Sequence, residues 1–303
     1  MASAQRVAVS GRVQRGAGGA PLAGAWAILH EIGMRGRGGP IDSVRTGANG
    51  RYTLTIARAD TSAVYVVSSW FSGIAYFSEA VPLRGRGSVE LQPILVYDSS
   101  STGPPIRVER RLVTVALPKK DDGTRAALEL LELRNPAQAT RVTNDTTHPT
   151  WTGALPHGVV QFQAGQGDVS GEAVGLRGDS VVVFGPIPPG DPKQLSYSYT
   201  LPATVTRLEV PIDQPTGELD LLVEDTAAVV STPSLEFDGV QPVDQRRFAS
   251  YRAPTPAVGT RVVITFPHGR FSAQALVPYA IAVLASVLVV GLVIALRKPA
   301  PDA

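Results

Sequence analysis

The chain contains no cysteine. Disulfides, thiolate metal ligands and thiol nucleophiles are therefore excluded, and the fold must rest on packing and hydrogen bonding. Charge is sparse too: Asp, Glu, Lys and Arg make up 18% of the 303 residues, and the net charge is +2. So balanced a chain offers no basic surface to a nucleic acid, and no such partner is expected. Arg35, Arg37, Arg84 and Arg86 sit in glycine-rich loops and read as solvating charges, or as contacts to anionic lipid or sugar.

Catalytic motifs are missing as well. His30-Glu31 is followed by Met34 where a zinc-protease helix would place its second histidine. Gly167-Asp168-Val169-Ser170-Gly171 has the wrong spacing for a nucleophile elbow. The Gly16-x-Gly18 and Gly36-x-Gly38 stretches lack the third glycine and the helix of a dinucleotide site. His148 and His157 flank Trp151 and read as surface histidines rather than metal ligands, and His268 as a polar residue near a membrane. Glu218, Asp220 and Glu224 share one face of a strand, with Leu219, Leu221 and Val223 on the other, so they read as solvated. No catalytic, metal-binding or cofactor-binding residue is assigned, and no enzymatic activity is expected. The other open class is an envelope hydrolase or its accessory subunit.

What is plentiful is glycine (30) and proline (25), set between many short apolar runs. No long amphipathic helix stands out. This pattern predicts an all-β protein, and the length allows about two domains.

Residues 7–97 read as the first domain. Strands are expected at Val7–Val13, Trp26–Glu31, Arg51–Ile56, Val64–Ser69, Ile74–Ser78 and Val89–Val96, with a glycine- and arginine-rich loop leading through Asp42–Thr46 to Asn49-Gly50. Tyr52, Leu54 and Ile56 share a face, which points them into a core. The region resembles the carboxypeptidase regulatory-like domain, a transthyretin-like β-sandwich grouped with carbohydrate-binding-like folds. Gly11 and Val13, Pro21-Leu22-Ala23-Gly24-Ala25 with Ala27 and Leu29, then Asp42, Thr46, Asn49-Gly50, Tyr52 and Leu54 carry the resemblance. It implies a turn at Gly24, a hairpin closed by Asn49-Gly50, and no catalytic residues.

Residues 98–105 (Asp98-Ser99-Ser100-Ser101-Thr102-Gly103-Pro104-Pro105) have the composition of a linker. Residues 106–268 read as a second sandwich of roughly ten strands, Ig-like or larger. There Ala127–Leu133 fits helix or strand by propensity, and the stop at Asn135-Pro136 favours a strand.

Trp70-Phe71 and Tyr76-Phe77 bracket Ser72-Gly73-Ile74-Ala75 as a hairpin. These four aromatics are candidate ligand contacts, since exposed rings stack on sugars; the alternative is that they fill the core. Trp26 and Trp151 read as packing residues.

Val277–Leu296 contains no charged residue. As a helix it would span about 30 Å, the thickness of a bilayer core. It is expected to be a C-terminal transmembrane helix, after a juxtamembrane stretch at 269–276 and before a tail at 297–303. Arg297 and Lys298 mark the tail as the cytoplasmic side and place the domains outside. Ala2-Ser3-Ala4 fits the remnant of a signal-cleavage region at 1–6. The competing arrangement is a tail anchor with both domains in the cytoplasm. The whole predicts a single-pass bacterial envelope protein that displays binding or scaffolding modules. Its expected partners are the bilayer and a glycan or envelope protein.

Overall fold

The computed structural model describes residues 6–16, 18–33, 38–82, 87–232 and 234–267. Residues 1–5, the four loop arginines, His268, Val277–Leu296, Arg297 and Lys298 lie outside the described residues. Among the described residues no helix is long and apolar enough to cross a membrane. Those residues are all-β, with one short helical turn at Gly171–Ala173.

The first region holds β1 (Val7–Arg15), β2 (Ala20–Pro21), β3 (Trp26–Ile32), β4 (Gly38–Arg45), β5 (Arg51–Ile56), β6 (Val64–Phe71), β7 (Ile74–Phe77), β8 (Ser88–Glu90) and β9 (Ile94–Val96). They form two sheets. In one, β1 pairs antiparallel with β2 and β5 and parallel with β8 and β9. The other runs β4-β3-β6-β7. Alternation sorts side chains between core and solvent. Val7, Val9 and Val13 meet Tyr52, Leu54 and Ile56 from one sheet and Ala27, Leu29, Tyr65 and Val67 from the other. Gly11 interrupts the β1 row because the Tyr52 ring takes the space a Cβ would need. Among the described residues the Tyr52 hydroxyl finds no partner, and burial pushes its pKa up to about 12.

Gly24 makes its expected turn at φ 71°. The expectation that Asn49-Gly50 closes a hairpin is corrected. The turn passes the chain from β4 in one sheet to β5 in the other, because β5 pairs with β1 rather than β4. Gly50 sits at φ 72° and its carbonyl accepts from the Val13 N–H at 2.9 Å, so only glycine fits so close to β1.

The second region holds β10 (Ser99–Ser100), β11 (Arg107–Val115), β12 (Arg125–Arg134), β13 (Thr140–Arg141), β14 (Trp151–Ala154), β15 (Val160–Ala164), β16 (Val174–Arg177), β17 (Ser180–Val183), β18 (Lys193–Leu201), β19 (Arg207–Pro211), β20 (Thr216–Val223), β21 (Val229–Ser231), β22 (Glu236–Val243), β23 (Arg246–Pro254) and β24 (Arg261–Thr265). A seven-stranded sheet runs β15-β18-β12-β11-β20-β23-β22. Two three-stranded sheets, β14-β17-β16 and β19-β24-β21, share one apolar core with it. The ambiguous stretch around Ala127 is strand: β12 pairs along its length with β11 and β18.

That core contains an ion pair. Arg111 donates through Nε to Glu129 Oε2 at 2.8 Å and through Nη1 to the Pro211 carbonyl at 2.7 Å. The Tyr197 and Tyr199 hydroxyls donate to Glu129, each at 2.9 Å. Burial, then the adjacent Glu129 charge, hold both tyrosines well above their usual pKa. Burial alone would lower the Arg111 pKa, but Glu129, Tyr197 and Tyr199 together outweigh it and raise it.

Residues 98–105, expected from composition to be a linker, pack against the second region. Ser99–Ser100 pairs in parallel with Thr140–Arg141, and Arg141 donates to the Pro104 carbonyl at 2.8 Å. The Tyr76 hydroxyl donates to the Tyr97 carbonyl at 2.9 Å and lies 2.8 Å from Thr140 Oγ1, tying the first region to the second.

Candidate functional site

The β6–β7 hairpin does not present its four aromatics together. Successive residues on a strand point to opposite faces, so Trp70 and Phe71 must diverge, as must Tyr76 and Phe77. Trp70 is 58% exposed and Phe77 60%, whereas Tyr76 is 7% exposed. Tyr76 faces inward opposite Ser69, and Phe71 packs half-buried on the core with the Arg15 guanidinium 5.0 Å from its ring centre. Of the four candidate ligand contacts, Trp70 and Phe77 are well exposed, Tyr76 is buried and Phe71 is half-buried.

These two belong to a larger face. Phe77 pairs with Ser68, and Ser68 also pairs with Ile28 on β3. Ala27 pairs with Ser69, so the register carries Trp26 to the position beside Trp70. Trp26, read from the sequence as a packing residue, is 45% exposed, with the Arg45 guanidinium 4.4 Å above its ring. Ile32 and Val64 extend the apolar surface. Polar groups lie among the rings: His30 Nε2 and Ser68 Oγ share a 2.8 Å hydrogen bond, and the His30 ring lies 6.4 Å from Phe77. Trp26, His30, Ser68 and Arg45 were missed. Their signal was the composition of Trp26-Ala27-Ile28-Leu29, apolar on both strand faces, which an ordinary half-solvated strand is not.

Phe77 also borders a groove of about 270 Å³ between the two regions. Tyr76, Tyr97 and Glu79 line it from the first region, and Pro188, Pro189, Asp191 and Lys193 from the second. The arrangement can hold a flat apolar surface on Trp70 and Phe77 while offering hydrogen bonds at His30, Ser68 and the groove.

The other candidates fall elsewhere. His148 hydrogen-bonds Asp145 and His157 hydrogen-bonds Asp179, both on exposed loops, and His30 lies on the aromatic face. Among the described residues no three His, Asp or Glu side chains converge on a metal position. Glu218 and Asp220 face solvent, bridged by Arg110 and Arg252, while Leu219, Leu221 and Val223 are buried. Trp151 is in the core, its Nε1 donating to Gln214 Oε1 at 2.8 Å.

No protein-family description matches the chain, and no curated protein matches it. Among solved structures, the M1 zinc metallopeptidase of Deinococcus radiodurans is similar over 55% of this chain, at 12% identity and a TM-score of 0.36. A mutant two-domain M1 zinc metallopeptidase bound to L-arginine is similar over 55% of this chain, at 11% identity and a TM-score of 0.35. The chain spans less than half the length of these structures, 43% and 44% respectively, and likeness this low carries no conclusion about activity.

Proposed function

We propose that the protein is a single-span, non-enzymatic module of a bacterial cell envelope. It binds an extracytoplasmic glycan through the outer face of its N-terminal sandwich. The observation that carries this reading is the exposure of Trp26, Trp70 and Phe77 on one sheet face, interleaved with His30 and Ser68. A pyranose ring stacks its C–H face on an aromatic ring while its hydroxyls reach neighbouring polar groups, and this face supplies both partners. The carboxypeptidase regulatory-like resemblance supports the same reading. The uncharged Val277–Leu296 stretch with Arg297 and Lys298 behind it supports a helical anchor with the sandwiches outside.

A glycan array tests the binding. The native chain is expected to retain a subset of glycans that Trp70→Ala and Phe77→Ala both lose; equal retention by all three proteins rejects the site. Topology is tested separately. An alkaline phosphatase fused after Arg270, in a chain supplied with an export signal, is expected to be active. Activity of a cytoplasmic reporter alone at that position would favour the tail-anchored arrangement.

A further inference from the structure

The second sandwich carries a cleft separate from the aromatic face. It lies between the two three-stranded sheets and has a volume of about 810 Å³, within the range of roughly 300–1,000 Å³ typical of small-molecule sites. On β19, Leu208 and Val210 turn into the core, so Arg207, Glu209 and Pro211 face outward. On β24, Arg261 pairs with Pro211, diagonal to Glu209. Glu209 accepts from Arg207 Nε at 2.9 Å and from Arg261 Nη1 at 2.7 Å. One carboxylate between two guanidiniums leaves a net positive charge. Most N–H groups of both forks have no acceptor among the described residues. Arg261, then Arg207, hold the Glu209 pKa below its ordinary value, so this clamp stays charged.

The facing wall has the opposite character. Asp179 Oδ2 lies 2.9 Å from His157 Nδ1, beside Ser180 and Ala154, and the buried Leu155 and Leu208 close the floor between the walls. A carboxylate there accepts hydroxyl hydrogens and repels a multiply charged anion. We propose that this cleft binds a hydroxylated carboxylic acid of one or two sugar rings. Its carboxylate sits on Arg207 and Arg261, its hydroxyls donate to Asp179, and its ring C–H surface rests on the partly exposed Ala154 and Pro211. The proposal stands independently of the aromatic face.

Calorimetric titration of the full chain in detergent tests it. The probes are a uronic-acid disaccharide, the neutral disaccharide of the same linkage, and inorganic phosphate. The acid is expected to bind saturably and the other two at least about tenfold more weakly, the scale of one lost charge-assisted contact. Arg261→Gln should weaken the acid by about the same factor. Glu209→Gln frees both guanidiniums and should tighten it, while Asp220→Asn, in a surface ion pair remote from the cleft, should leave it unchanged. These residues are solvent-facing, so the variants keep the fold. Absence of acid binding, equal binding of the neutral sugar or phosphate, or weakening by Glu209→Gln overturns the proposal.

Discussion

The two sandwiches place charge and aromatic surface in opposite ways. In the N-terminal one the core is apolar apart from tyrosine hydroxyls and small polar side chains, and the outer face of β4-β3-β6-β7 exposes Trp26, Ile32, Val64, Trp70 and Phe77. In the second, the core encloses Arg111 and Glu129, 4% and 0% exposed, and the outer side of the seven-stranded sheet carries the Arg110, Glu218, Asp220 and Arg252 bridges. A salt-bridged outer face is made for water. An apolar, aromatic one leaves surface that water covers poorly, which marks it for contact. The two outer faces thus differ in character: one is apolar and aromatic, the other is ion-paired.

Breaking the buried charge should have the largest effect. Glu129→Ala strands Arg111 in the core and is expected to cost about 3–5 kcal/mol in urea unfolding of the second sandwich. Replacing the pair together, Arg111→Met with Glu129→Leu, should recover most of that loss. A double variant as unstable as the single one would show that the tyrosine network, not the lone charge, sets the cost.

Alkaline pH comes next. An unfolded tyrosine titrates near about 10, whereas Tyr52 is raised to about 12, and Tyr197 and Tyr199 are also held well above the ordinary value. Below about pH 10 both states hold these protons and stability is unaffected. Above it the unfolded chain releases them first, so stability falls. Tyr52 alone should remove roughly 2–3 kcal/mol by pH 12, and Tyr52→Phe should flatten that slope in thermal melts taken at stepped pH. Gly11→Ala should then cost the N-terminal sandwich about 1–3 kcal/mol, because its methyl meets the Tyr52 ring; a melt shows it as a lower transition.

The smallest stability effects sharpen the comparison most. Asp220→Asn removes an exposed bridge and should cost less than about 1 kcal/mol with no change in glycan binding. Trp70→Ala should change stability by a similarly small amount, about 0.5 kcal/mol, and yet abolish binding. Outer-face residues of the two sandwiches then differ in function though not in stability.

Much of this was legible in period-two patterning. Tyr52, Leu54 and Ile56 point inward as expected, and Leu219, Leu221 and Val223 separate from Glu218 and Asp220 as expected. The same alternation divides the hairpin aromatics: Trp70 and Phe77 face out, while Phe71 and Tyr76 take the core-filling alternative. Nothing local in Leu128-Glu129-Leu130 marks Glu129 as a core charge, because its partner Arg111 lies on the neighbouring strand and pairing between strands is not written locally. The strands at Val229–Ser231 and Glu236–Val243 carry mostly exposed residues, so no apolar alternation announced them. The Arg207–Glu209–Arg261 clamp needs β24 beside β19, again a matter of register.

The central claim is that the outer face of β3, β6 and β7 is covered when the protein works. Hydroxyl-radical footprinting of Trp26 and Trp70, in native envelope membranes and in the purified chain, tests it most directly, with core residue Trp151 as internal reference. Both exposed tryptophans are expected to be strongly oxidised in the purified chain and protected in the envelope. Equal oxidation in the two preparations would contradict it.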